Sequence, residues 1–251
     1  MNACHSVVKK KTDADSTKII TENTIAIHCE NPEFSKGEII NHTYYTLQYS
    51  EEDEQAFWVA YKLSPDFLKK NAKRKDKFKE DKKVTTRSSQ LIDYKGSGFD
   101  RGHLAPAGAM VLNQKAMDET FYMSNMSPQK PSFNRGIWKK LEEQVRKWGR
   151  SSDSIFVVTG PILNNIKKSI GPNKVSVPDY YYKVLLKFKN SRSNGIAFLL
   201  KNEASKAPLK SFAIPVDSIE KITQINFNPS INSTIEAEIE STFNISDWEF
   251  N

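Results

Sequence analysis

Two cysteines, Cys4 and Cys29, are all the chain has. They are too few for a disulfide framework, and no Cys-x-x-Cys pair exists to hold structural zinc. The sequence leaves open whether they pair with each other. Histidine is scarce as well: His5, His28, His42 and His103 show no metal-ligand spacing. Any catalytic metal must therefore rest mainly on oxygen ligands, which favours Mg2+, Ca2+ or Mn2+ over zinc. No apolar run approaches the roughly 18 residues of a membrane span. An apolar signal-peptide core is missing from the first residues too. Export then requires a signal already removed, leaving the protein secreted or periplasmic. Lipid anchoring is also open, with Met1-Asn2-Ala3-Cys4 as the remnant of a lipoprotein cleavage site and Cys4 as the lipidated residue. Internal repeats and convincing linkers are absent. The economical division is a polar N-terminal extension over residues 1–40 and one domain over residues 41–251.

What is present is charge of one sign in one place. The 251 residues carry 37 Lys and Arg against 30 Asp and Glu, a net +7. Residues 69–87 hold ten of the basic residues and three acids, Asp76, Glu80 and Asp81, so this stretch alone supplies +7 and the rest is neutral. Such a segment is an electrostatic footprint for a polyanion. The bland alternative is a solvated lysine-rich loop.

Residues 44–49 and 56–61 are rich in Tyr, Phe, Trp and Val on either side of an acidic turn, which predicts a hairpin. The basic stretch has no apolar face and reads as loop. Gly96-Ser97-Gly98 breaks the chain before Asp100-Arg101-Gly102-His103. Residues 120–126 read as a strand ended by Pro128. Ile137, Trp138, Leu141, Val145 and Trp148 recur at helical spacing, predicting a helix between Pro131 and a stop at Gly149, with both tryptophans in the core. Strands are expected over 155–158, 180–188, 196–200 and 212–216, with helical pieces near 218–225 and 231–242. The fold class is α+β: a mixed or antiparallel central sheet with flanking helices.

A strand ending at His103, a strand near Asn125 and a helix beginning near Asn134 can bring an imidazole and an amide together around one phosphate. Phosphodiester hydrolysis needs a base to take a proton from water and a cation to stabilise charge on the oxygens. Histidine, with an ordinary pKa of roughly 6.5, suits the first role. The amide oxygen of asparagine suits the second, although Asn134 as a mere helix N-cap is the plain alternative. Glu142 lies roughly 12 Å of helical rise beyond Asn134, too far for both to bind one ion directly if the helix is regular.

These residues resemble the DNA/RNA non-specific endonucleases of the ββα-metal superfamily, the Serratia nuclease and endonuclease G group. Asp100-Arg101-Gly102-His103 is that family's hallmark. The likeness extends over residues 93–99 before it, Leu104-Ala105-Pro106-Ala107 after it, residues 121–129 and 133–138, and Leu141-Glu142; a looser similarity covers about 44–229. The resemblance implies a ββα-metal active-site motif with His103 as general base. It implies Asn134 as the direct protein ligand to Mg2+ (Mn2+ substituting) and Glu142 as the acid that binds the hydrated metal through water. Asn125 then supports the histidine through its backbone carbonyl, Asp100 supports the site, and Arg101 faces the phosphate. The upstream transition-state arginine is matched to Arg74, with Arg87 as competitor. One departure is Ala109, where relatives carry aspartate. His5, His28 and His42 are assigned no role.

The reaction so implied is metal-dependent endonucleolytic hydrolysis of DNA and RNA, leaving 5′-phosphate and 3′-hydroxyl ends. A homodimer and a protein inhibitor stay open as partners. The competing readings are a non-catalytic nucleic-acid-binding or inhibitor-binding protein on a nuclease scaffold, and a phosphodiesterase or phosphatase for small substrates.

Overall fold

The computed structural model describes residues 31–190, 192–231 and 233–250. Cys4 and Cys29, and with them the lipidation and pairing questions, lie outside the described residues, as do His5 and His28.

Eleven strands occur among the described residues: β1 (Glu38–Asn41), β2 (Thr46–Ser50), β3 (Gln55–Leu63), β4 (Asp100–His103), β5 (Met126–Gln129), β6 (Ser154–Pro161), β7 (Ser169–Ile170), β8 (Val175–Ser176), β9 (Tyr180–Lys189), β10 (Arg192–Lys201) and β11 (Ala213–Ile214). The helices are α1 (Leu91–Tyr94), α2 (Gln114–Glu119), α3 (Pro131–Phe133), α4 (Lys139–Arg150), α5 (Val216–Thr223) and α6 (Ser233–Ser241). Seven strands form one sheet in the order β1-β2-β3-β6-β9-β10-β11, with every pairing antiparallel. The α+β expectation holds. β1, and Phe34 packed before it on the sheet, show that packing begins ahead of residue 41.

The sheet is covered on both faces, which is why its strands read as near-continuous apolar runs. Successive residues of β3 alternate: Val59 and Tyr61 join one core with Leu141, Val145 and Trp148 of α4, while Trp58 and Ala60 join another with Val216 and Ile219 of α5. Trp138 and Trp148 are buried in the first core. Gly149 does not stop α4. A Cβ there would stand 3.1 Å from Leu68 Cδ1 and 3.4 Å from Leu63 Cβ, so the small residue permits close approach and the helix runs on to Arg150.

β4 and β5 make a separate antiparallel ribbon, with Gly102 opposite Ser127 and His103 opposite Met126. Here two expectations are corrected. Residues 123–125 form a 3-10 turn rather than strand, and Pro128 lies inside β5 opposite Arg101 instead of ending a strand. A proline without an amide hydrogen is tolerated because a two-stranded ribbon is all edge. The helix after it is interrupted as well: α3 passes through a wide turn, Asn134–Trp138, into α4, and Gly136 leaves helical dihedrals at φ −104°, ψ −112°.

The basic stretch is loop, as expected, with all ten of its cationic side chains exposed. Three backbone bonds stitch it down: Asn71 donates to the Val111 carbonyl at 2.8 Å, Lys79 donates to the Phe121 carbonyl at 3.1 Å, and Met123 donates to the Lys79 carbonyl at 2.9 Å. Its anchor is the buried Asp81. That carboxylate pairs with His42 Nε2 at 2.9 Å, and accepts from Ser124 Oγ at 2.6 Å and the Lys83 amide at 3.0 Å. His42 is therefore not incidental. Its ring packs between Tyr45 and Tyr122 and holds the loop by its one sealed acid.

Candidate active site

β4 delivers Arg101 and His103 to the same face of the ribbon, because strand residues two apart point the same way. Two rings meet them there. Phe121 packs edge-on against the His103 imidazole at 5.0 Å, Phe78 lies 5.7 Å from it, and the two phenylalanines contact each other at 5.1 Å. The guanidinium of Arg101 lies over Phe78 at 4.1 Å, and that of Arg74 over Phe121 at 5.3 Å. One aromatic wall thus carries the histidine and two arginines. Arg74 is also held by Asp76, Nε to Oδ1 at 2.7 Å. Arg87 stands apart, near Glu80 at 3.9 Å, and no contact among the described residues ties it to His103.

This environment keeps His103 neutral. Its pKa is pushed down to about 3, by burial first and then by the charge of Arg74; Asp76 opposes the shift and Arg101 adds to it. Nε2 is buried and has no hydrogen-bond partner among the described residues.

Asn125 clamps the turn on either side. Its carbonyl accepts from the Leu104 amide at 3.0 Å, its Oδ1 from the Ala105 amide at 2.8 Å, and its Nδ2 donates to the carbonyls of Ala105 and Thr120. The resemblance implies that this carbonyl orients the imidazole itself. Here it grips the backbone one residue further on. Ala109, the departure from the family pattern, is buried in the main core, where an aspartate would need a partner.

On the other face of the ribbon, Asp100 reaches the start of the helix. Asn134 Nδ2 donates to its Oδ2 at 2.9 Å, and Arg135 takes both oxygens, Nε to Oδ2 at 2.8 Å and Nη2 to Oδ1 at 2.6 Å. Burial pushes the Asp100 pKa up, but the hydrogen bonds from Arg135 and Asn134 and the charges of Arg135 and Arg101 win and hold it below the usual range. A carboxylate only accepts, so it must face the amino group of Asn134 and leave the amide oxygen turned away. That oxygen suits a hard divalent cation. Asn134 is not an N-cap: its dihedrals are helical and its amide already donates to the Lys130 carbonyl at 2.9 Å.

Glu142 sits on α4 with its pKa raised by burial, against the opposing charges of Lys183, Arg146 and Arg74; Glu143 adds to the rise. Arg74 thus acts on Glu142 and on His103 alike. Lys183 on β9 is wholly buried, its Nζ 4.7 Å from the Trp138 ring centre and without a hydrogen-bond partner among the described residues. Burial lowers its pKa and Glu142 opposes that shift.

Sequence reasoning passed over Arg146, Lys183, Arg135 and the two phenylalanines. Two signals were available: Arg146 stands four residues after Glu142 on one helix face, and Lys183 stands between the apolar residues Tyr181-Tyr182 and Val184-Leu185-Leu186. Nothing in the sequence pointed to the aromatic wall, whose rings come from segments 43 residues apart.

A family model described as DNA/RNA non-specific endonuclease matches residues 23–234. Nuclease C1 of Cunninghamella echinulata var. echinulata is 40% identical over 201 residues, covering 73% of this chain and 79% of that protein. Human mitochondrial endonuclease G is 36% identical over 202 residues, covering 74% and 68%. Among solved structures, a chain of the EndoG/EndoGI complex superposes with a TM-score of 0.73 at 33% identity, over 79% of this chain and 88% of that one. The chain belongs to the DNA/RNA non-specific endonuclease family, a family of metal-dependent nucleases.

Proposed function

We propose that the chain hydrolyses backbone phosphodiesters of DNA and RNA without regard to sequence, by a one-metal mechanism with His103 as general base. The observation that carries this reading is the position of Arg74. It shares Phe121 with the imidazole and acts electrostatically on both His103 and Glu142, which supports reading base, cation and acid as parts of one site.

Asn134 would hold a Mg2+ ion through its amide oxygen, and Glu142 would grip the ion's water shell. When bound, the ion supplies Lewis-acid stabilisation of the phosphoryl and leaving oxygens. His103, kept neutral by desolvation and by two nearby guanidinium groups, takes the proton of a water aimed in line at phosphorus. Arg74 and Arg101 neutralise charge as it develops on the phosphoryl oxygens. Asp100 fixes the amide of Asn134, and Asn125 fixes the turn that follows His103. The exposed cations of residues 69–87 grip flanking phosphates, which position a strand without reading it. The products carry 5′-phosphate and 3′-hydroxyl ends.

Digestion of plasmid and of RNA, with Mg2+ or with EDTA, tests the reading in the wild type, His103→Ala and Asn134→Ala. Cutting that needs Mg2+ and is lost in both variants is the expected result, with ends that accept ligation only while the 5′-phosphate is present. Tight binding of nucleic acid by the wild type with no cutting under any divalent cation overturns it in favour of a binding protein on a nuclease scaffold.

A further inference from the structure

Neighbouring residues of a helix point about 100° apart and do not ordinarily share a partner. Asn134 and Arg135 do share one. Both donate to Oδ2 of Asp100, while the second prong of Arg135 takes Oδ1. The wide turn over Asn134–Trp138, where Gly136 departs from helical dihedrals, is where the chain makes this arrangement.

The consequence lies in the carboxylate plane. The terminal torsion of an aspartate is broad, so an Asp100 held by one bond alone leaves its plane free to swing. A guanidinium fork gripping both oxygens lies in that plane and fixes it. One direction on Oδ2 then remains, and the Asn134 amino group occupies it. The amide of Asn134 can neither rotate nor flip, because a flip would set its oxygen against a carboxylate oxygen.

We propose that Arg135 is a positioning residue for the metal site: acting through Asp100, it locks the Asn134 amide with its oxygen directed outward to a divalent cation. This rests on Asn134 being the ligand, as given above. The site is therefore a relay of three side chains, Arg135 to Asp100 to Asn134. Arg135 itself, 73% exposed at its side chain, needs no contact with ion or substrate.

The test is calorimetric titration of Mg2+ into metal-free protein without nucleic acid, on the wild type, Asn134→Ala, Asp100→Asn and Arg135→Lys. Lysine keeps the charge and loses the fork, so its effect reads geometry and not electrostatics. Arg135→Lys is expected to weaken Mg2+ binding roughly tenfold, the lower end for a residue that holds a metal ligand. Asp100→Asn should weaken it at least as much, since an amide no longer dictates which end of Asn134 faces it. If Arg135 works only through Asp100, the double variant binds no more weakly than Asp100→Asn alone. An Arg135→Lys affinity within about twofold of wild type, while Asn134→Ala abolishes binding, overturns the role of Arg135 and leaves the ligand intact. Full Mg2+ affinity in Asn134→Ala overturns the ligand reading itself.

Discussion

A Cβ placed on Gly102 would stand 2.2 Å from Cδ of Gln129, across the ribbon that carries His103. The glycine of Asp-Arg-Gly-His is thus a matter of space: the wholly buried Gln129 side chain fills the volume that any other residue would need. Gly102→Ala should cost about 1–3 kcal/mol by overpacking and should reduce cleavage by displacing β4. Equilibrium denaturation and a cleavage assay measure the two effects. Gln129→Ala in the same chain opens that volume and should recover part of both losses; no recovery would show that the clash is not the cause.

The neutrality of His103 sets the pH behaviour. With an ordinary imidazole, activity would fall below about pH 6. Burial and the two arginines hold this pKa down to about 3, so His103 should contribute no inflection near 6.5 to kcat/KM, and its acid limb should lie well below pH 6. An acid limb of the wild type centred at 6.5 would contradict this account.

The same shift bears on stability. The folded pKa lies below the unfolded one, so between about 3 and 6.5 the unfolded chain binds the extra proton and stability falls as the pH falls. From pH 7 to 5 this group should remove about 2 kcal/mol. Urea denaturation at the two pH values should show that decrement in the wild type and a correspondingly smaller one in His103→Gln.

Asp81 is the acid that holds the basic loop. Its own burial pushes the pKa up, but hydrogen bonds from His42, Ser124 and the Lys83 amide hold it below the usual aspartate range. Its stabilisation is therefore present above an ordinary aspartate pKa and is lost as the pH falls through the lower folded value. Asp81→Ala leaves three donors unpaired and should destabilise the protein by about 3 kcal/mol. Limited proteolysis should then cut within residues 69–87; an uncut loop would show that the bridge at Lys79 suffices to hold it.

Lys75 and Lys77 are exposed and make no ion pair among the described residues. If they grip phosphates, Lys75→Ala and Lys77→Ala should each lower the slope of log K against log salt for duplex DNA by about 0.9. Binding measured on a His103→Ala background avoids cleavage. Unchanged slopes would reduce the stretch to a solvated loop.

Much of the architecture was legible along the chain. Alternation and β-branched or aromatic runs marked the strands of the main sheet, and the spacing from Ile137 to Trp148 marked the α4 face, because the periods of strand and helix are local properties. The candidate site residues His103, Asn134 and Glu142 were legible for another reason: they fall in short motifs, in order, that resemble the family. Pro128 was misjudged because the rule that a proline ends a strand assumes neighbours on both sides, and the ribbon has none. His42 was passed over since burial beside Asp81, 39 residues away, leaves no local mark.

The sequence by itself determined the family, the residues proposed as base and metal ligand, and the single basic segment, since these depend on residue types and their order. Only the tertiary structure decided that Arg74 and not Arg87 stands beside the imidazole, that Phe78 and Phe121 wall the site, that Lys183 is sealed near Glu142, and that Arg135 grips Asp100. Each of these is a contact between segments far apart in the chain. Such contacts are set by which surfaces the folded core presses together, and no local pattern records that.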